Sequence, residues 1–416
     1  MIGNQKKFLA ACFDKAVKAV QPSECIAKFI PDPPQGRTVV IGAGKASAAM
    51  ARSFEQYFEG PLTGTVVTRH GYNVECEFIN VIQASHPIPD ETGVTAAKII
   101  LEEVKNLTED DLVVCLISGG GSSLLTLPAS NLTIVEKQLI NKKLLLCGAT
   151  VSEINTVRKH ISRIKGGQLA LACLPASVVT LAISDVVGDD PSVIASGPTV
   201  ADLSTCEQAL QILKKYEITE PKSILKYLRL KRKVEPNLAP KALDKFRFEM
   251  IANSRMALEV SANFAKMSGI TPIILNEGLQ GEAKKVGYEH ANEVKKYLNA
   301  KPCLLLSGGE LTVNVTGTGK GGPNMEFLLA LALGLNGRSD VSAIACDTDG
   351  IDGFSEYAGA FITPETLFSA QKVGLNPDFM LANNDSYNFF KELDSLVETG
   401  PTYTNVNDFR AILICD

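Results

Sequence analysis

"VVIGAGKASAAM", from Val39 to Met50, decides how the first half of the chain folds. An apolar run from Thr38 to Ile41 meets a turn with Gly42 and Gly44, and small helix-forming residues follow. The pattern predicts a strand, a tight turn and a helix. The turn also carries a lysine, Lys45. A dinucleotide fingerprint needs a third glycine where Ser47 stands. It also needs an acidic residue closing the next strand, where the chain reads Gly60-Pro-Leu-Thr-Gly-Thr. A Walker loop needs glycine at the place of Val39 and a hydroxyl residue at the place of Ala46. Neither loop fits. What is left is a helix N-terminus with backbone N–H groups and a neighbouring lysine, which predicts an anion site.

The same unit recurs along the chain. "DLVVCLISGGGSSLL" is a strand, a glycine turn and a helix, and "ASVVTLAISDVVGDD" is a strand leaving into an acidic loop. A helix fits Glu91–Lys105, with Asp90 as its cap, and Phe8 to Val20 form an amphipathic first helix. Apolar strands alternating with helices predict an α/β fold with mainly parallel sheets covered on both faces. The charged, proline-containing stretch "LKYLRLKRKVEPNLAPKAL" predicts a domain boundary near Glu235, giving domains 1–235 and 236–416. "FRFEMIANS", "TPIILN", "PCLLLSGGELTVNV" and "VSAIACDTDGIDG" read as strands of the second half.

The net charge of −5 argues against nucleic acid as the main partner. No run approaches the roughly 20 apolar residues of a membrane span. The ten cysteines show no C-x-x-C pair, and several sit in apolar runs, so they read as reduced core residues of a cytoplasmic protein. "LAAC" at Leu9–Cys12 has no apolar stretch before it, so no signal peptide is expected. The histidines His70, His86, His160 and His290 form no metal-binding pair.

Four further motifs carry chemistry. Ser118–Ser123, "SGGGSS", lets a backbone approach a ligand closely and offers hydroxyls. Asn155–Ala170 packs Arg158, Lys159, Arg163 and Lys165 into one helix and turn, which makes Arg158 and Lys165 candidates for phosphate contact. Asp185, Asp189 and Asp190 follow one strand, and Asp347, Asp349 and Asp352 follow another. Carboxylates at strand ends suit Mg²⁺ shared with phosphates, and Asx turns are the competing account of each cluster.

Taken in order, "VVIGAGKAS", "SHPIPDE", "LISGGGSSLL", "NTVRKHIS", "ISDVVGDDPSVIASGPT", "LLSGGELTV", "GGPNMEF" and "DTDGIDG" resemble the glycerate 2-kinase family with its C-terminal MOFRL domain. The resemblance spans nearly the whole chain. It implies two α/β/α domains, a Rossmann-like N-terminal one and a smaller MOFRL one, with the active site in the cleft. It implies transfer of the ATP γ-phosphoryl to the 2-hydroxyl of glycerate, with Mg²⁺. Lys45 falls on the family's catalytic lysine, and Arg158 is the second catalytic candidate. Candidate substrate and nucleotide contacts are Gly42, Gly44, Ser118, Gly119, Gly120, Gly121, Ser122 and Lys165 in the first half. In the second half they are Asn253, Ser307, Gly308, Gly309, Glu310, Asn324 and Glu326. Metal candidates are Asp185, Asp189, Asp347 and Asp349. Members also named hydroxypyruvate reductases keep an NAD(P)H-dependent reductase as the alternative, beside a kinase for a related sugar acid and a non-enzymatic sensor of such acids. A homodimer is left open. Relatives read Gly-Gly-Arg-Asn-Gln-Glu where this chain has Gly321-Gly322-Pro323-Asn324-Met325-Glu326. Either another cation, such as Arg158, Lys320 or Arg255, takes over there, or the substrate differs.

Overall fold

A computed structural model describes residues 4–232 and 246–415. The chain divides into two units, one of residues 25–251 and one joining 1–24 to 252–416. The first unit contains the strands β1 (Thr38–Ala43), β2 (Leu62–Arg69), β3 (Ile79–Ala84), β4 (Leu112–Ile117), β5 (Ser177–Ile183) and β6 (Phe246–Ala252). They form one six-stranded sheet in the order β3-β2-β1-β4-β5-β6. The pairings β1–β2, β2–β3, β1–β4 and β4–β5 are parallel. β1 and β4 are buried along their whole length, as expected for strands covered on both faces. The order reverses between β1 and β4, and ligands of such sheets bind outside the strand carboxyl ends at that point.

The second unit opens with α1 (Gln5–Ala19), whose apolar face buries Phe8, Leu9, Cys12, Phe13, Ala16 and Val17. Its strands are β7 (Thr271–Glu282), β8 (Cys303–Thr312), β9 (Val341–Asp347), β10 (Gly359–Ile362), β11 (Leu396–Val397) and β12 (Asp408–Ile414). They form a second six-stranded sheet, β11-β10-β9-β12-β8-β7. Only β7–β8 is parallel; β8–β12, β12–β9, β9–β10 and β10–β11 are antiparallel. The expected parallel character therefore holds in the first sheet, while the second is mixed. Buried strands read as continuous apolar runs in either orientation, so composition alone did not separate the two.

Two expectations about domain limits need correction. The boundary near Glu235 lies outside the described residues. The "FRFEMIA" stretch is β6, hydrogen-bonded into the first sheet rather than the second. The first helix also belongs with the second unit: α1 packs against β9, β12 and Ser254–Met267, with Phe13 5.7 Å from Phe409 and Phe8 stacked 5.5 Å from Phe264. All cysteines but Cys76 and Cys147 are buried, and none is disulfide-bonded among the described residues. No described helix is long and apolar enough to cross a membrane.

Helices of the first unit include α2 (Ser47–Tyr57), α3 (Glu91–Glu103), α4 (Ile134–Leu146) and α5 (Val151–His160), and those of the second include α6 (Ser254–Met267), α7 (Ala283–Val294) and α8 (Pro323–Leu335). Asp90 caps α3, accepting from the Gly93 amide at 2.9 Å, as its place in the sequence predicts.

The turn after β1 depends on Gly44. Its φ is +150°, and a Cβ there would lie 2.0 Å from Ser118 Oγ. Gly71 also has positive φ, +83°, but a Cβ there meets nothing within 4 Å. Gly44→Ala is therefore expected to destabilise the protein by about 2 kcal/mol or more, through strain plus overlap. Gly71→Ala is expected to lose only about 1 kcal/mol, from backbone strain. Urea denaturation of both variants checks this, and equal losses would show that the Ser118 contact gives way freely.

Candidate functional site

Two turns meet at the carboxyl ends of β1 and β4. Gly42 lies within β1, and Lys45 follows that strand, half-buried. The backbone amides of the first turn are all donated: Gly44 to Val67 O, Lys45 to Gly119 O at 2.8 Å, Ala46 to Ser118 Oγ at 3.0 Å, and Ser47 to Gly44 O. The amides from Gly44 to Ser47 are thus spent within the protein, two of them on binding one turn to the other, and the Lys45 side chain is what this part of the turn offers a ligand.

The second turn supplies the backbone donors. Ser118 is fully buried, and its hydroxyl oxygen accepts from Ala46, so it holds the turn rather than facing a ligand. Among the described residues no acceptor pairs with the Gly119 or Gly120 amide. Gly120 has φ +81°, and a Cβ there would come within 3.0 Å of the His86 ring and 3.4 Å of Lys45 Cγ. Lys45 and His86 thus flank the same bare glycine. Gly121 begins a single helical turn, Gly121–Leu124. The Ser122 and Ser196 hydroxyls lie 2.6 Å apart, and Ser196 donates to Asn155 Oδ1 at 3.1 Å.

Cations underlie this turn. Lys165 is 1 % exposed and donates to Ser122 O at 2.8 Å and, at 3.4 Å, to Leu125 O and Ala195 O. Its hydrogen bonds anchor the glycine turn. Arg158, in the last turn of α5, is half-buried and donates from Nε to Asn141 Oδ1 at 3.1 Å. Lys137, which sequence reasoning missed, is 2 % exposed on α4 and hydrogen-bonds Thr126 Oγ1. A signal existed: it falls on the buried stripe of Ile134, Ile140 and Leu144, where a lysine is out of place. After β5, Asp185 is half-buried, and Asp190 accepts from the Ser192 amide in an Asx turn. Asp189 takes a left-handed φ of +53°.

In the second unit most of the expected contacts are structural. Asn253 caps α6 by accepting from the Met256 amide at 3.1 Å. Ser307 is 2 % exposed, with its hydroxyl 3.3 Å from His290 Nε2. Gly308 and Gly309 are buried in β8, and Glu310 is exposed. Asn324 and Glu326 are buried. Asn324 donates to Asp352 at 3.3 Å and to Asp408 at 2.6 Å, and Glu326 accepts from Asn384 at 2.8 Å. The expectation that these two side chains meet a ligand is corrected by that burial.

Asp352 also accepts from the Asn324 and Met325 amides at 3.0 and 2.9 Å, so it closes the N-terminus of α8. Burial raises its carboxyl to about 7, against the pull of those amides. Asp408 pairs with the fully buried Arg410, which also donates to Gly308 O. Asp408 and Arg410 went unnoticed in the sequence, although two charges inside "DFRAILI" mark a buried pair. Asp347 accepts from the Asp349 amide and Asp349 from the Ile351 amide, both at 2.9 Å. These are Asx turns. Among the described residues no three His, Cys, Asp or Glu side chains gather as a metal site. Lys320 and Pro323 line one cavity of about 800 Å³, whereas Arg255 is held by Glu259 and Glu277. Pro323 occupies the first turn of α8, where its missing N–H costs nothing.

Comparison with known proteins places this architecture. Residues 8–229 match the family described as a domain of unknown function, DUF4147, and residues 303–408 match the MOFRL family. A protein of Agrobacterium vitis named provisionally as a hydroxypyruvate reductase is 47% identical, covering 98% of this chain and 94% of its own. D-glycerate 2-kinase of Thermotoga maritima is 37% identical, covering 98% of each chain. A crystal structure of glycerate kinase from Thermotoga maritima superposes with a TM-score of 0.89 at 35% identity, covering 98% of this chain and 99% of that one. The chain therefore belongs to the glycerate 2-kinase family, with a DUF4147 domain followed by a MOFRL domain.

Proposed function

We propose that the protein transfers the γ-phosphoryl group of ATP to the 2-hydroxyl of glycerate. The observation that carries the reading is the meeting of Lys45 and His86 at Gly120, beside the Gly119 and Gly120 amides, at the switch point of a parallel sheet. Phosphoryl transfer needs positioning and charge neutralisation more than covalent chemistry. Lys45 neutralises charge on the phosphoryl group in flight, and the two amides orient its oxygens. The buried cations beneath Ser122 add a positive field at the same turn.

Mg²⁺ fits the carboxylates present only as an ion bound mainly to phosphate. With no three-ligand cluster among the described residues, one or two aspartates would hold it, which is the usual arrangement for this ion beside phosphates. The candidates are Asp185 and Asp189 after β5, and Asp347 and Asp349 at the end of β9. When bound, it would neutralise the nucleotide's phosphate oxygens.

The reductase reading has the name of the Agrobacterium vitis relative in its favour. Against it, the Gly44 to Ser47 amides of the turn after β1 are already donated within the protein, and the third glycine of a dinucleotide loop is Ser47 here. The purified protein is expected to release ADP from ATP with Mg²⁺ only when glycerate is present, and to leave NADH unoxidised in the presence of hydroxypyruvate. NADH oxidation without ADP release would sink the kinase reading.

Lys45→Ala is expected to lower kcat by about 10²-fold or more, with a smaller change in the glycerate KM, because the interaction lost belongs to the transition state. Steady-state kinetics at saturating ATP check it. An unchanged kcat would reduce Lys45 to a residue of the turn's surface.

A further inference from the structure

The cations near Ser122 belong to a cavity whose charge pattern the transfer centre leaves unexplained. Lys137, Arg158 and Lys165 form part of its lining, and its volume is about 670 Å³. Their hydrogen-bond partners are neutral oxygens: Thr126 Oγ1, Asn141 Oδ1 and three backbone carbonyls. The charges acting on the two lysines are the other cations of the group. Among the described residues no carboxylate is ion-paired with any of the three. Buried basic groups are either paired or neutralised by a lowered pKa, and an anion in this cavity would hold both lysines in the charged form. The rim is of opposite character. Ile88, Val135, Leu145 and Leu146 line it while 62 to 77 % exposed.

We propose that this cavity binds the nucleotide co-substrate, with the polyphosphate on Lys137, Arg158 and Lys165 and the base against Ile88, Val135, Leu145 and Leu146. The assignment rests on the kinase reading above. Glycerate is too small to fill the volume, and its single carboxylate cannot balance three cations. It also has nothing apolar to set against the wall. A polyphosphate spreads charge over every phosphoryl group, and a purine covers exposed aliphatic side chains. The position agrees. Ser122, Ser123 and Pro87 line the cavity, and Lys165 is bonded to Ser122 O, so a polyphosphate there adjoins the turn that Lys45 and His86 flank.

Proton linkage follows from the same geometry. Burial, then Arg158, lowers Lys137 to about 7, and burial with both neighbours holds Lys165 well below its usual range. The charged groups facing Lys137 are Arg158 and Lys165, with Lys142 also lining the cavity; no Asp or Glu lines it. An anion favours the charged lysine and raises its pKa. Binding therefore takes up a proton. The charge-pairing gain is full below about pH 7 and fades as pH rises through the raised pKa of the bound state.

The test is calorimetric titration with three probes, Mg²⁺-ADP, inorganic tripolyphosphate and glycerate, on the wild type, Arg158→Gln and Leu145→Gln. Arg158→Gln is expected to weaken ADP and tripolyphosphate by about 10-fold or more, as loss of a charge-assisted contact should. Leu145→Gln, at an exposed position, should weaken ADP and spare tripolyphosphate. The wild-type ADP enthalpy at pH 8 should vary with buffer ionisation in the sense of proton uptake. Unchanged ADP and tripolyphosphate affinity in a folded Arg158→Gln would overturn the assignment, and so would loss of glycerate binding alone. If Arg158→Gln does not fold, Leu145→Gln decides, and undiminished ADP affinity there refutes the base wall. ADP binding here by a protein that phosphorylates nothing would fail the kinase reading while leaving the site intact.

Discussion

Everything at the candidate centre depends on a pair of hydrogen bonds between the turns after β1 and β4. Lys45 N donates to Gly119 O, and Ala46 N to Ser118 Oγ. Between them they fix the backbone just before Gly120, and the Lys45 stem lies beside that glycine. The close approach requires glycine at position 44, because a side chain there would occupy the space of the Ser118 hydroxyl. The first turn is spent as scaffold, and the second keeps its amides for a ligand. Two glycine turns that look alike in sequence thus divide the work, one as clamp and one as cradle.

The second unit uses polar burial differently. Asp352, Asn324, Asp408 and Arg410 form a network inside it that joins the start of α8 to β12 and the loop after β9. Breaking one member would strand a buried charge, which is far more damaging than the net worth of the pair. The motifs "GGPNMEF" and "DTDGIDG" are thereby held to one geometry. Lys320 and Pro323 stand at the edge of that network and line a cavity of their own, so variation at position 323 leaves the buried charges untouched.

Much of this was legible in the sequence. The strands β1, β4 and β5 read as continuous apolar runs, and Asp90 announced the start of α3. Both glycine turns stood out in the sequence, and the structure bonds them to each other. Periodicity could not say which turn's amides were occupied, because that depends on partners some 70 residues away, such as Ser118 for Ala46. Nor could it tell that Asn324 and Glu326 point inward. Hydrogen bonding makes a polar side chain tolerable in a core, and the partners Asp408 and Asn384 are remote in the chain. Lys137 was overlooked because a lone lysine in a helix is usually solvated, and the sign of burial lay in its neighbours' spacing. The orientation of β8, β9 and β12 was invisible for a similar reason: burial on both faces erases the alternation that distinguishes antiparallel sheets.

The pairing of α1 with the far end of the chain has a consequence for biosynthesis. The helix ends at Ala19, and β12, against which Phe13 packs, begins at Asp408. At roughly 5–20 residues per second, the ribosome needs on the order of 20–80 s to make the intervening segment. Until Ser254–Met267 has been made the apolar face of α1 has no native surface to cover it, and Phe13 waits for Phe409 longer still, while the first unit can already have closed its sheet. The nascent chain therefore carries a partly uncovered apolar segment while its partners are still being made, and holdase chaperones would meet it there. A tag or fusion partner placed ahead of α1 would act at this stage, changing the yield of folded protein without touching any residue of the site.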